Sequence, residues 1–250
     1  MSQIGTTTAR AFTSPNFNKG LLTIAQNRLR SKSPQITREL RHYLFSRIRY
    51  EITNHPVIKS LAGAYAGNED GTDLPAEYGL SSNMASDGIA LIEEKTIDPN
   101  NIKIQTGFGS TRGNSALINI SAEWLPKNYI QDIIFDSRGY YVSEKSGQTI
   151  PWAYWMLSEF GEPVTSEDFG ILYTDKVYDT SRSGRAFMVD KVITMTKRNG
   201  FPYEAPAILV SYNGKNWIEN AIGSVEFETE IKNELKSIIR KNIASISRIK

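Results

Sequence analysis

Ile36, Leu40, Leu44, Ile48 and Ile52 recur every fourth residue near the start of the chain. Near its end Phe227, Ile231, Leu235 and Ile238 repeat the pattern, with Ile243 and Ile246 able to extend it. Apolar residues spaced by three and four line one side of an α-helix. Two amphipathic helices, far apart in sequence, therefore each need an apolar surface to cover. Ser33 and Pro34 suit the N-cap and first position of the early helix, and Pro56 ends it. Before it, Phe17, Leu21, Ile24 and Ala25 suggest a helix up to Arg30. A short helix from Pro56 to Tyr65 carries Val57, Ile58 and Leu61, with Gly67 as its stop. At the far end NWIENAI reads as a helix, Gly223 breaks it, and Ser224 caps the long one. Glu226, Glu228 and Glu230 near that helix's start, and Arg240 and Lys241 near its end, match the helix dipole.

The middle of the chain changes period. NIKIQ (101–105) and SALINISAE (115–123) alternate, with Ile102 and Ile104, then Ala116, Ile118 and Ile120, on one face. GFGSTRGN joins them as a hairpin connection. DIIFD, GYYVSE, GILYT and GRAFMVDKVITM are expected as further strands, with KSGQ a turn. The class is α+β: N-terminal helices, a central antiparallel β-sheet, an aromatic-rich short helix and a long C-terminal helix. Residues 1–15 hold little apolar surface and are expected to be a mobile N-terminal arm. Residues 16–250 are expected to form a single domain: helical over 16–67, a long loop over 67–83, sheet-rich over 100–212, with C-terminal helices over 214–247. The loop GNEDGTDLPAEYGLSSN is long for a compact domain, and such loops are often functional.

Composition narrows the chemistry. There is no cysteine, which excludes a disulfide framework, thiolate metal sites and a cysteine nucleophile. The two histidines, His42 and His55, lie 13 residues apart and make no metal site by themselves. His55, just before Pro56, is placed to cap a helix. GFGSTRGN lacks the Gly-Lys-Ser/Thr ending of a phosphate loop and runs into a strand, not a helix. Glu93, Glu94 and Asp168 show no pairing for acid–base work. No catalytic residue, metal ligand or cofactor is assigned. No apolar run reaches membrane-spanning length and MSQIGTTTAR lacks a signal-peptide core, so the expectation is a soluble protein used inside the cell that makes it.

The net charge of +2 conceals a segregation. Residues 1–50 hold nine Lys/Arg and one acid, Glu39, while residues 240–250 hold four bases and no acid. The middle is acidic. Basic ends can serve nucleic acid, or dock on acidic surfaces of neighbouring subunits. Docking is the expectation, because the acidic middle offers a partner of the right sign. DNA binding by the basic N-terminal region is the alternative.

The stretch IPWAYWMLSEFG (150–161) sets Pro151 at a helix start, puts Trp152, Trp155 and Met156 on one helical face, and closes with Gly161. Trp and Tyr in such numbers serve either the protein's own core or a subunit interface. The order of features here resembles the neck and tail-completion proteins of tailed bacteriophages, the family grouped with the lambdoid tail-completion proteins. The residues that carry the resemblance are Trp152-Ala153-Tyr154-Trp155, then Glu159-Phe160-Gly161, then Pro206, Asn216-Trp217-Ile218 and Ala221-Ile222, leading into the helix at 225–246. It covers roughly residues 100–246. Glu162 departs from the small residue usual after Glu-aromatic-Gly. Residues 1–99 and the insert near 165–200 exceed a minimal member, as a larger variant in a contractile-tailed phage would.

The resemblance implies a structural virion protein without catalysis. It implies a homo-oligomeric ring of six or twelve subunits at the head–tail junction, assembled in the host cytoplasm. Its partners would be other phage neck, connector and tail proteins, with genome DNA passing through the lumen and no membrane involved. Interface candidates on this view are Trp152, Tyr154, Trp155, Phe160, Trp217, Arg41, Arg47 and Arg49. Another tail component, such as a terminator or baseplate subunit, is the neighbouring alternative, and an enzyme of unrecognised type the remote one.

Overall fold

A computed structural model describes residues 3–10, 19–65, 73–108, 117–142, 147, 149–157, 165–172, 187–190, 201–204, 209 and 215–247. The protein is α+β, and it divides into two compact units rather than one domain. Unit 1 comprises Met1–Ile48, Ile97–Lys127 and Ile222–Lys250; unit 2 comprises Arg49–Thr96 and Asn128–Ala221.

The first helix, α1 (Lys19–Thr53), runs without a break through Pro34. Ser33 was expected to cap a new helix there. Instead its hydroxyl is hydrogen-bonded to that of Thr106 at 2.8 Å. The reason lies in the stripe: Leu29 is buried seven residues before Ile36, so the apolar face is already in register across the proline. Leu40, Leu44, Ile48 and Ile52 continue it. Each four-residue step overshoots the helical repeat by about 40°, so the buried stripe winds around the helix as it goes. Proline supplies no N–H to the carbonyl four residues back, and the Pro34 ring is exposed. Pro34→Ala is therefore expected to stabilise the fold by about 1–3 kcal/mol. The check is a higher denaturant midpoint at unchanged slope; a lower midpoint would show the proline to be favourable where it stands.

Unit 1 holds a three-stranded antiparallel sheet of order β1-β3-β2, made of β1 (Gln3–Arg10), β2 (Lys103–Phe108) and β3 (Leu117–Glu123). The β2–β3 pairing places Ile104 opposite Ala122 and Thr106 opposite Ile120, as the alternation anticipates. β1 corrects the expectation of a mobile arm. An edge strand needs backbone partners and β-branched residues more than apolar mass, and TTT at 6–8 supplies the latter. It pairs from Gln3↔Glu123 to Arg10↔Leu117, with a register shift between Ile4 and Thr7. The last helix of the chain belongs to this unit. Ser224 caps it, accepting from the Phe227 amide at 3.1 Å. Its residues Phe227, Ile231, Leu235, Ile238 and Ile239 are buried. Trp124, just after β3, meets Phe227 with ring centroids 5.9 Å apart.

Unit 2 is built from short helices. α2 (Pro56–Leu61) ends at Gly63, φ +82°, with Gly63 N donating to Ser60 O and Ala64 N to Lys59 O. That is a Schellman closure, four residues before the expected stop at Gly67, which lies outside the described residues. The segment expected as loop over 67–83 contains α3 (Leu74–Glu77), with Leu74, Pro75 and Ala76 buried. Asp73 caps it through a 3.2 Å bond from Ala76 N, and Gly79, φ +64°, closes it. Ser60 Oγ accepts from Leu74 N at 3.0 Å, fixing α3 on α2. α4 (Ser82–Thr96) follows, a helix not assigned from the sequence, burying Ala85, Gly88, Leu91, Ile92 and Thr96.

DIIFD, expected as a strand, lies in and just after α5 (Tyr129–Ile134). The buried pair Tyr129 and Ile133 is spaced by four, which suits a helix. β4 (Tyr141–Val142) and β5 (Thr149–Ile150) pair antiparallel. Then come α6 (Trp152–Leu157), β6 (Thr165–Leu172), β7 (Phe187–Asp190), β8 (Phe201–Glu204) and α7 (Trp217–Ile222). The strands β7-β6-β8 form their own antiparallel sheet. Pro202 sits in β8, an edge strand, where a missing N–H is tolerated. Among the described residues the single central sheet expected from the sequence is thus divided among three sheets. α8 (Val225–Ser247) is the long C-terminal helix of unit 1.

Candidate functional site

The aromatic segment resolves into an inward and an outward part. In α6, Trp152 and Met156 are fully buried and Trp155 is buried beside Tyr78, with centroids 6.3 Å apart. The close approach of α6 to α4 depends on a glycine: a Cβ on Gly88 would stand 2.5 Å from Trp152 Cη2. Trp217 is also interior, stacked on His55 at 4.7 Å and 29°. Next to it, buried Asn216 donates to the Tyr129 hydroxyl at 2.6 Å and accepts from Glu219 N at 3.0 Å. Three of the expected interface residues, Trp152, Trp155 and Trp217, therefore serve the core of unit 2. Apolar area of that size is most favourably spent inside when the spacing allows it. Phe160 lies outside the described residues.

Tyr154 points the other way, 52% exposed. Two more exposed aromatics, Phe135 and Tyr140, come from the segment before α6. Gly139 lies against α6, where a Cβ would meet Ala153 Cβ at 3.2 Å and Ile133 O at 2.5 Å. In sequence, Tyr154 follows Ala153, Tyr140 follows Gly139, and Phe135 lies two residues beyond Ile133. Phe135 is 77% exposed, Tyr140 is also exposed, and Val142 follows in β4. Isolated exposed apolar residues are ordinary; three exposed aromatics beside, in sequence, the residues of one contact fit an interaction role.

The backbone under this patch is pinned by charge. Asp136 caps the 3₁₀ turn Ser137–Gly139, accepting from Arg138 N at 3.0 Å. The Arg138 guanidinium grips both carboxylate oxygens of Asp136, each at 2.9 Å, and reaches Glu94 at 2.9 Å. Lys95 closes on Glu94 at 2.7 Å. The Arg138 side-chain hydrogen bonds hold the Asp136 carboxyl down at about 2. The two-pronged bond fixes the loop geometry from which Phe135 and Tyr140 project. The turn residues Asp-Ser-Arg-Gly at 136–139 were the available signal, hidden by reading the flanking residues as strands.

Other groups that invite a chemical role are accounted for structurally. His55 Nδ1 accepts from Val57 N at 3.3 Å, so His55 caps α2 as expected and the neutral ring carries its proton on Nε2. Burial lowers its pKa to about 4. Glu77 is the least comfortable group: its Oε2 is buried without a hydrogen-bond partner among the described residues. Burial, with a smaller push from Asp73, raises its pKa to about 8. A cleft of about 320 Å³ between α2, α3 and α4 is lined by Leu61, Pro75, Leu80, Ala85 and Ile89 among others, and no lining side chain ionises. Among the described residues no group of three or more His, Cys, Asp or Glu could hold a metal ion, and no helix is long and apolar enough to cross a membrane.

The arginines separate as well. Arg41 and Arg49 are exposed on α1, whereas Arg47 pairs with Glu230 of α8 at 2.9 Å within unit 1. No family model matches the chain, and no curated protein or solved structure does so either.

Proposed function

We propose that the protein is a structural subunit of a head–tail joining ring in a tailed phage, acting in the neck or in tail completion of the virion. The observation that carries this reading is the exposure of Phe135, Tyr140 and Tyr154, each next or nearly next in sequence to a residue of the Gly139–Ala153–Ile133 contact. Tyr154 lies in the Trp-Ala-Tyr-Trp run that resembles the neck and tail-completion family, and Phe135 and Tyr140 fall within the stretch that the resemblance covers. Interface centres favour aromatic residues held by a preorganised backbone. On this reading the patch seats against the next copy in a closed, head-to-tail ring of six or twelve subunits. The ion pairs at Glu94, Lys95, Asp136 and Arg138 form its polar rim.

The test is light scattering of the purified chain over a concentration series, with electron microscopy of the same samples. The wild type is expected to self-associate into rings. Phe135→Ser combined with Tyr154→Ser is expected to abolish association with unchanged circular dichroism, since both side chains are exposed. Rings that form equally well with the double substitution would remove the patch from the interface. A wild type that forms no ring, alone or on phage particles, would end the proposal.

A further inference from the structure

The two basic ends of the sequence converge in unit 1. Asn242 of α8 donates to Glu39 of α1 at 3.4 Å, and Arg47 of α1 pairs with Glu230 of α8 at 2.9 Å. The later residue of one helix meets the earlier residue of the other, so α1 and α8 run antiparallel. In sequence the Glu39–Asn242 contact is flanked by Arg38 and Arg41 on α1 and by Arg240 and Lys241 on α8, all four exposed. None of the four enters an ion pair among the described residues. Glu39, the acid at the centre, is already engaged: one carboxylate oxygen accepts from Gln35 at 2.9 Å and the other from Asn242. About 18 Å away along α8, the sign reverses, with Glu226, Glu228, Glu230 and Glu234 in its first turns. The paired helices therefore carry a basic pole that neither terminus makes alone.

We propose that this pole binds the phosphate backbone of nucleic acid. Three of its four cations are arginines, whose planar forks suit phosphate oxygens. No large apolar side chain is exposed between Arg28 and Arg49 on α1, or after Val225 among the described side chains of α8. A protein partner would need such an apolar centre; a phosphate lattice does not. Arg47, expected to dock on a neighbour, is already committed to Glu230. The inference goes beyond the ring and stands without it, because it concerns unit 1 while the aromatic patch lies in unit 2.

The experiment is fluorescence anisotropy of a labelled duplex DNA with the full chain at two salt concentrations. Four phosphate contacts predict an affinity that falls about 100-fold between 50 and 200 mM salt. Arg38→Glu with Arg41→Glu, and separately Arg240→Glu with Lys241→Glu, are each expected to weaken low-salt binding about tenfold or more. Arg49→Glu, beyond the pole, is expected to have little effect. All variants are expected to keep the wild-type melting curve, since exposed charges contribute little to stability. Absence of binding at low salt, binding indifferent to salt, or loss confined to one helix's variant would overturn the proposal. Preference for polyglutamate over DNA would also overturn it, assigning the pole to an acidic protein.

Discussion

Trp152→Ala is expected to lower the unfolding free energy by about 3–5 kcal/mol, the range for emptying a fully buried aromatic site. Trp152 is 1% exposed, and its ring lies in the notch left by Gly88. Gly88→Ala attacks the same contact from the other side. Its new methyl would arrive 2.5 Å from Trp152 Cη2, and overpacking of that kind costs about 1–3 kcal/mol. Put together, the two substitutions are expected to cost less than their sum, because the cavity left by the indole accepts the methyl. Urea denaturation of the wild type, both single variants and the double variant measures this as a cycle. Strict additivity would mean that the two residues do not share that space.

Stability of the wild type is expected to fall as pH rises from about 6.5 to 8, and Glu77→Gln to remove that fall. Glu77 has its pKa raised from 4.5 to about 8 by burial, with Asp73 adding to it. Between those values the folded protein keeps a proton that the unfolded chain has released, so each rise in pH favours unfolding. The favourable contribution is complete below 4.5 and lost through about 8. His55 has the opposite sign. Its pKa is lowered from 6.5 to about 4 by burial, so its contribution is present above 6.5 and lost as pH falls toward 4. The two slopes offset each other between 4.5 and 6.5, leaving Glu77 alone above that window. A glutamine there is expected to be more stable than wild type at pH 8 by up to about 4 kcal/mol. Chemical denaturation at pH 5, 6.5 and 8 checks it; parallel curves for variant and wild type would show that Glu77 does not titrate in this range.

Periodicity made the long elements legible. Leu40, Leu44 and Ile48 on α1, and Phe227, Ile231 and Leu235 on α8, are buried as their spacing requires. Ser224 and His55 cap where their positions suggested. The short elements were harder. In α3 only four residues are helical, and the Pro-Ala-Glu run reads as loop until Ser60 and Asp73 are seen to satisfy its amides. β1 was opaque because a polar strand announces itself through its partner, and β3 lies more than a hundred residues away. The exposed patch was half visible. Tyr154 was in view, but Phe135 and Tyr140 look like strand residues until the Asp136–Arg138 fork bends the chain between them. The antiparallel pairing that joins the basic ends leaves no local trace in either helix.

That pairing also sets a timetable for synthesis. α1 leaves the ribosome long before α8, which begins at Val225, so Arg47 must wait for Glu230 and Glu39 for Asn242. At about 5–20 residues per second the interval is on the order of ten seconds or more. β1 waits likewise for β3. Unit 1 cannot close while its chain is still being made through unit 2, because its three segments bracket the two segments of the other. Its contacts are long-range ones, which makes closure slow once the pieces are present. The nascent chain therefore carries α1 without its α8 contacts through most of translation.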